Sequence, residues 1–253
     1  MPRRSIDPSQ AKTSFTRIAP YYDVLMESVP YEMWLSYLKL VWSFAEVSPR
    51  EVLEVCCGTG RLCRMLAKEG YIVAGVDKSA EMIAQAKEIA RREGLDIHYE
   101  VQDVAEMNLH KRFDAAFSFF DSLNNIIDYQ QFMRGLARVR IHLESEKPFL
   151  FDLNTAYAFE KKMFDQQCLS QSAKVRYKWK SRWDPNTRLC EITMRFWIGD
   201  EHFEEIHVQR AYSIEEIYDA MDAAGFHSIS IFDAYTLNPP KKTSDRIHVL
   251  GFA

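Results

Sequence analysis

Val52-Leu53-Glu54-Val55-Cys56-Cys57-Gly58-Thr59-Gly60 reads as a β-strand that carries a carboxylate near its end and runs at once into a loop of small residues. The spacing after it predicts a helix over Leu62–Glu69, closed by Gly70. Gly58 and Gly60 permit left-handed backbone and close approach of a ligand. The following helix offers its first N–H groups to a negatively charged group. A tight strand-to-helix turn without a ligand is the plainer alternative for this motif taken alone.

On either side the chain alternates strand and helix. Further strands are expected over Tyr71–Val76, Ile97–Val101, Phe113–Phe120 and Phe149–Leu153. Helices are expected from Ser79 to just before Gly94 and over Tyr129–His142. Such alternation implies a parallel sheet covered on both faces. Upstream, Met33, Trp34, Tyr37, Leu38, Val41 and Phe44 fall at helical spacing and predict an amphipathic helix over Tyr31–Val47. Downstream, the β-rich runs Val175–Trp183, Leu189–Ile198 and His202–Tyr212 are separated by the turn sequences Asp184-Pro185-Asn186 and Gly199-Asp200. They form an antiparallel meander inserted after the fifth strand. Ser213 with Glu216 makes a capping box for a helix running to Ala224. The strands Ser228–Ala234 and Arg246–Phe252 follow. The expected fold is α/β: a Rossmann-like, seven-stranded, mostly parallel sheet with helices on both faces, plus a small antiparallel β insertion.

Two aspartates sharpen the site. Asp77 ends the second strand, where an open α/β sheet binds its ligand, and a carboxylate there can accept both hydroxyls of a ribose. Asp103 follows the third strand, where it can accept from an adenine amino group. Either one alone is more often a cap or turn residue; the placement after successive strands argues for a site. By the same rule, Asp121, Ser122 and Asn124 after the fourth strand and Asp152 and Asn154 after the fifth lie on the ligand side.

With these residues the sequence resembles the class I S-adenosylmethionine-dependent methyltransferases. Glu54 to Gly60 is similar to their first motif, Asp77 to the ribose-binding acid and Gln102-Asp103-Val104 to the adenine-contacting segment, over roughly residues 50–153. Tyr21-Tyr22-Asp23, followed by Met26, Tyr31 and Trp34, resembles a subgroup with an N-terminal helical lid that includes small-molecule and sugar N-methyltransferases. The resemblance implies S-adenosylmethionine as cofactor, held by Tyr22, Trp34, Glu54, Cys56, Gly58, Gly60, Asp77, Lys78, Asp103, Val104, Phe119 and Asp121. It implies a division into an N-terminal helical lid (1–50), a cofactor-binding core (51–153 and 213–253) and a meander (154–212) over the acceptor site. Two departures stand out. Cys56 replaces the usual first glycine, and Glu144-Ser145-Glu146-Lys147-Pro148 replaces a Pro-Gly-Gly turn.

The implied reaction is methyl transfer to a small-molecule acceptor by proximity and in-line displacement. The alternatives are a non-catalytic S-adenosylmethionine-binding protein and a methyltransferase acting on RNA or protein. A dinucleotide enzyme fits less well: Gly58-Thr59-Gly60-Arg61-Leu62-Cys63 lacks the third glycine of that fingerprint. No loud catalytic signature is present, and His207 and Asn154 are the catalytic candidates. Cys56, Cys57 and Cys63 lack the spacing of a zinc site and read as buried thiols, so no metal is expected.

The 253 residues carry a formal net charge of −4, so bulk electrostatics favour neither nucleic acid nor an anionic membrane. A local stripe, Lys174, Arg176, Lys178, Lys180 and Arg182, alternates with Val175, Tyr177 and Trp179. On a strand this gives one basic and one apolar face. Solvated charge is the plain reading, and a nucleic-acid track the sharper one. Apolar runs fall short of the roughly 18–20 residues that span a bilayer. The start has no signal-peptide character, and five cysteines without a secretory context read as free thiols. The expected protein is cytoplasmic, takes a small-molecule acceptor, binds neither nucleic acid nor membrane, and leaves a homodimer open.

Overall fold

The computed structural model describes residues 6–7 and 15–253; residues 1–5 and 8–14 of the expected lid lie outside the described residues. The core alternates β1 (Glu51–Val55), α3 (Arg61–Lys68), β2 (Ile72–Asp77), α4 (Ala80–Arg92), β3 (His98–Val101), β4 (Ala115–Ser118), α5 (Tyr129–Ile141) and β5 (Pro148–Asn154). It resumes after the insertion with α7 (Ile214–Ala223), β10 (His227–Asp233) and β11 (Arg246–Phe252). These strands form one seven-stranded sheet in the order β10-β11-β5-β4-β1-β2-β3. The pairs from β5 through β3 are parallel, and β11 is antiparallel to both its neighbours. Strands covered on both faces must be apolar on both. Accordingly Val52, Leu53 and Val55 of β1 and Ala115, Ala116 and Phe117 of β4 are wholly buried.

The two sides of the sheet carry separate cores. One joins Phe132, Leu136 and Val139 of α5 and Ile217, Ala220 and Met221 of α7 to Phe149 and Phe151 of β5. The other joins α3 and α4 to α2 (Tyr31–Phe44), whose Trp34, Leu35, Leu38, Val41 and Trp42 form its buried stripe. That helix stops three residues before the expected Val47, because Glu46 takes a left-handed φ of 55° and ends it. The expected β4 shortens for a related reason. Phe113 makes only an isolated bridge to Leu143, and Phe120 and Asp121 both turn to positive φ.

The insertion is a four-stranded antiparallel sheet of β6 (Gln166–Cys168), β7 (Arg176–Asp184), β8 (Leu189–Ile198) and β9 (Glu201–Arg210). The three long strands fall where the β-rich runs predicted. The three-residue β6, the helix α6 (Ala156–Glu160), and the N-terminal 3₁₀ turn Ala19–Tyr21 leading into α1 (Tyr22–Leu25) carry too few periodic residues to be read from sequence. The Ser213 capping box forms as expected, with the Ser213 side chain accepting from Glu216 N and the Glu216 carboxylate from Ser213 N.

Tyr99 of β3 is wedged between β2 and the loop after β1. A β-carbon at Gly75 would lie 2.8 Å from Tyr99 Cδ1 and 2.9 Å from Cys57 Sγ. The Tyr99 hydroxyl donates to the Gly60 carbonyl (3.3 Å). Gly75→Ala therefore overpacks a closed contact between two rigid groups. It is expected to lower unfolding free energy by about 1–3 kcal/mol, measured by urea denaturation; an unchanged midpoint would show that Tyr99 gives way.

Candidate cofactor and acceptor site

The order of strands reverses direction of winding at β1 and β4, and the crevice lies at the carboxyl ends there. A cavity of about 390 Å³ opens at that point, bordered by Cys56, Asp77, Phe119 and Asn154 from the strand ends and by Tyr22 from the N-terminal segment. A smaller recess of about 90 Å³ shares Cys56 and Asp77 with it and continues to Lys78, Gln102, Asp103 and Val104.

The loop after β1 turns through three left-handed residues, Cys56 (φ 57°), Gly58 (φ 54°) and Gly60 (φ 69°). Cys56 adopts the conformation of the glycine it replaces, at a cost of roughly 1–2 kcal/mol. Two carboxylates hold this turn. Asp77 accepts from Gly58 N (2.9 Å) and Ser79 N (2.8 Å), one bond to each oxygen. Glu54 accepts from Cys63 N (3.0 Å) and Cys63 Sγ (2.8 Å), tying the strand to the first turn of α3. Burial raises both carboxyl groups, Glu54 to about 7, against the hydrogen bonds that lower them. Burial also keeps the thiols of Cys57 and Cys63 protonated, and no cluster of metal-ligating side chains occurs among the described residues.

Beyond β4, Asp121 sits in a buried charge network. Arg246 donates to Asp121 Oδ1 (2.8 Å) and to Asp152, Gln209 Nε2 donates to Asp121 Oδ2 (2.7 Å), and Asp121 N donates to Asp152 Oδ2 (2.9 Å). Two of the residues expected on the ligand side serve structure instead. Asn124 is wholly buried, and its amide braces the Asn154 backbone and the Arg210 carbonyl. Asp152 is wholly buried behind Arg246. Trp34, expected at the cofactor, lies a layer further back, packed against Phe119, Phe120 and Tyr235 in tilted and edge-on contacts, with Arg246 over its ring. It does not border the cavity, because α2 docks its apolar stripe on the sheet.

Tyr22 does border the cavity, and its neighbour Asp23 latches the segment onto the loop. The Thr59 hydroxyl (2.5 Å) and Arg64 guanidinium (2.8 Å) donate to Asp23. Opposite the strand ends, the antiparallel sheet turns its inner face to the cavity. Trp179, Ile192, Met194 and Phe196 line it, with His207 and Gln209 of β9. The aromatics between the basic residues of β7 thus face inward: Tyr177 and Trp179 pack in the sheet's core. Of the stripe, Lys180 pairs with Asp165 and Arg182 with Glu191.

Tyr22, Glu54, Cys56, Gly58, Asp77, Phe119, Asp121, Asn154 and His207 therefore come together around the larger cavity, and Lys78, Asp103 and Val104 around the recess. Gly60 stands just outside, packed against Tyr99. The sequence did not single out Arg246, Gln209 and Glu205. One signal was present: Glu205, His207 and Gln209 continue, at period two, the inward row begun by Phe203, where an apolar row is the rule.

The raised Glu54 gives a pH signature. Its folded value, about 7, lies above its ordinary 4.5, so the folded state holds a proton that the unfolded state has lost between these values. That contribution is complete below about 4.5 and lost as pH rises to 7, at up to about 1.4 kcal/mol per unit. The wild-type protein should lose stability relative to Glu54→Gln between pH 5 and pH 8 in urea unfolding. A pH-independent difference would place Glu54 outside the buried clamp.

Residues 52–144 match the family described as "Methyltransferase domain". The chain is similar to GWCH70_2453 of Geobacillus sp. strain WCH70, provisionally named a methyltransferase, at 29% identity over 92% of this chain and 97% of that one. The structure superposes on an S-adenosylmethionine-dependent methyltransferase from Clostridium acetobutylicum with a TM-score of 0.82 and 26% identity, covering 94% of this chain and 98% of that one. It shares its fold with S-adenosylmethionine-bound CalS10, an amino pentose methyltransferase from Micromonospora echinaspora (TM-score 0.71, 19% identity, 96% and 99% covered). Domain match, similarity along most of both chains and a strand-end crevice of this geometry converge on an S-adenosylmethionine-dependent methyltransferase with the class I fold.

Proposed function

We propose that this methyltransferase acts on a small molecule bound between the strand ends of the core and the antiparallel roof. The observation that carries the reading is the cavity of about 390 Å³, walled on one side by Cys56 and Asp77 and on the other by Trp179, Met194 and Phe196. That volume lies within the range of small-ligand sites, about 300–1,000 Å³. In this reading residues 1–50 act as the lid, 51–153 and 213–253 as the cofactor-binding core, and 154–212 as the roof. CalS10, which shares the fold, acts on an amino pentose.

The residues fit the cofactor by their chemistry. Each Asp77 oxygen accepts one backbone N–H and keeps capacity for a ribose hydroxyl. A β-carbon at Gly58 would meet nothing within 4 Å, so the backbone there is open to a ligand. The recess beside Lys78 and Val104 suits a flat ring, with Asp103 at its edge; Asp103 Oδ1 is held by Ala105 N (2.8 Å) and Oδ2 lies 3.4 Å from Gln131 Nε2. Tyr22, Phe119 and Asp121 then border the amino-acid end.

The bound cofactor supplies a methyl group already activated on a sulfonium. The protein's share is to hold the acceptor in line and keep water out. Asp23, bonded to Thr59 and Arg64, closes the N-terminal segment over the loop, and the apolar roof shields the far side.

Asp77→Ala should weaken S-adenosylhomocysteine binding by roughly 1.5–3 kcal/mol in calorimetry, the scale of hydrogen bonds to a charged group. Unchanged affinity would remove Asp77 from the ribose. The acceptor class is tested with methyl-labelled S-adenosylmethionine and three fractions of a cell extract: deproteinised metabolites, RNA and protein. Label is expected in the metabolite fraction; label confined to RNA or protein would overturn the small-molecule reading.

A further inference from the structure

We propose that His207, oriented by Glu205, is the proton acceptor of the acceptor pocket, and that the substrate is one whose nucleophile arrives with a proton to lose, an ammonium or a hydroxyl. This rests on the methyl transfer proposed above.

The argument begins with Glu205, a carboxylate only 1% exposed. Its oxygens accept from three backbone N–H groups, Phe15 (3.1 Å), Arg17 (3.1 Å) and Ile18 (3.3 Å). All three are donors, so Glu205 serves as acceptor, and its fourth contact, His207 Nε2 at 3.1 Å, is an N–H donating to Oε2. The neutral imidazole then carries its lone pair on Nδ1. No partner for Nδ1 occurs among the described residues, and His207 borders the cavity while being 2% exposed.

Two neighbours point the same way. Gln209 Oε1 and Asn154 Nδ2 are buried, border the same cavity and have no partner among the described residues. The Gln209 amide is fixed by its bond to Asp121, which leaves the carbonyl oxygen free. Buried polar atoms left unpaired are costly, so two of them on one cavity, beside the open Nδ1 of His207, mark where a polar ligand belongs. The Phe15 ring stands edge-on to the imidazole, 4.4 Å between centroids, and Ile192 lies opposite His207 across the strand pair. The charged and titratable carboxyl or guanidinium groups facing His207 are Glu205 on its own strand and, around the cavity, Glu54, Arg61, Asp77, Asp121, Asp245 and Arg246. The Arg17 side chain turns away to Glu201 and the Phe203 ring.

The step balances as follows. The acceptor's N–H or O–H bond breaks, its electron pair stays on nitrogen or oxygen, and the proton passes to Nδ1. The lone pair forms the bond to the methyl carbon, and the carbon–sulfur bond breaks with its electrons kept on sulfur, leaving S-adenosylhomocysteine. Glu205 stabilises the imidazolium.

The test uses histidine-labelled (¹⁵N) full-length protein saturated with S-adenosylhomocysteine, the His207 resonances being assigned with His207→Gln. In the neutral ring Nε2 should carry the proton and Nδ1 the lone pair, and Glu205→Gln should weaken that preference for one tautomer. With the deproteinised extract as acceptor pool, His207→Gln should cut transfer by about 10²–10⁴-fold at unchanged S-adenosylhomocysteine affinity, with a residual rate that climbs with pH. A proton on Nδ1 of the neutral ring, or full transfer by His207→Gln, overturns the proposal; if Glu205→Gln does not fold, these two measurements decide. Wild-type protein that fails to bind S-adenosylhomocysteine removes the methyl-transfer reading itself, and is seen in the same calorimetry.

Discussion

The turn after β1 must pass from a buried parallel strand into α3 within five residues, and it does so through left-handed backbone at Cys56, Gly58 and Gly60. Such a turn exposes N–H groups that no neighbouring strand can bond. Asp77 and Glu54 take up Gly58 N and Cys63 N, so two buried carboxylates stand in for the missing ladder. Because Asp77 ends β2, the bond also fixes the separation of β1 and β2 at the crevice, and Tyr99 of β3 props the same loop from below. Three strands thus converge on one loop, and the shape of the ligand site follows from them.

The roof depends on a second set of buried polar groups. Arg246 of β11 bonds Asp121 and Asp152, and Gln209 reaches Asp121 from β9, so the charge network joins the core sheet to the insertion. Glu205 does the same for the N-terminal segment, accepting from the backbone of Phe15, Arg17 and Ile18. Buried ion pairs of this kind add little net stability, since desolvation offsets much of the attraction. Their effect here is to fix where the segment and the roof sit.

His248 marks the opposite case. It lies wholly buried among Trp34, Tyr37, Phe119 and Tyr235, with both ring nitrogens unpaired among the described residues, and burial lowers it to about 3. It packs as an aromatic ring and carries no charge at neutral pH. Histidines in such different settings as His207, bonded to Glu205, and His248, with neither nitrogen paired among the described residues, look alike in the sequence, because burial and partner are set by packing.

What was legible in the chain is whatever a local pattern encodes. The apolar runs of β1, β4 and β5, the glycines after β1, Asp77 at the end of β2 and the Ser213 capping box depend on neighbours in sequence, and they gave the sheet, its parallel arrangement and the position of the crevice. What the chain could not disclose rests on long-range contact. Trp34 was expected at the cofactor and lies behind Phe119 and Phe120, because the docking of α2 sets its depth. Asn124 was expected to meet the ligand and braces Asn154 instead. Arg246, Gln209 and Glu205 became visible as site residues only when β11 and β9 were brought against residues 88 to 190 positions away. Hydrophobic periodicity is a property of single segments, whereas the pairing of buried charges is decided only once the segments have packed.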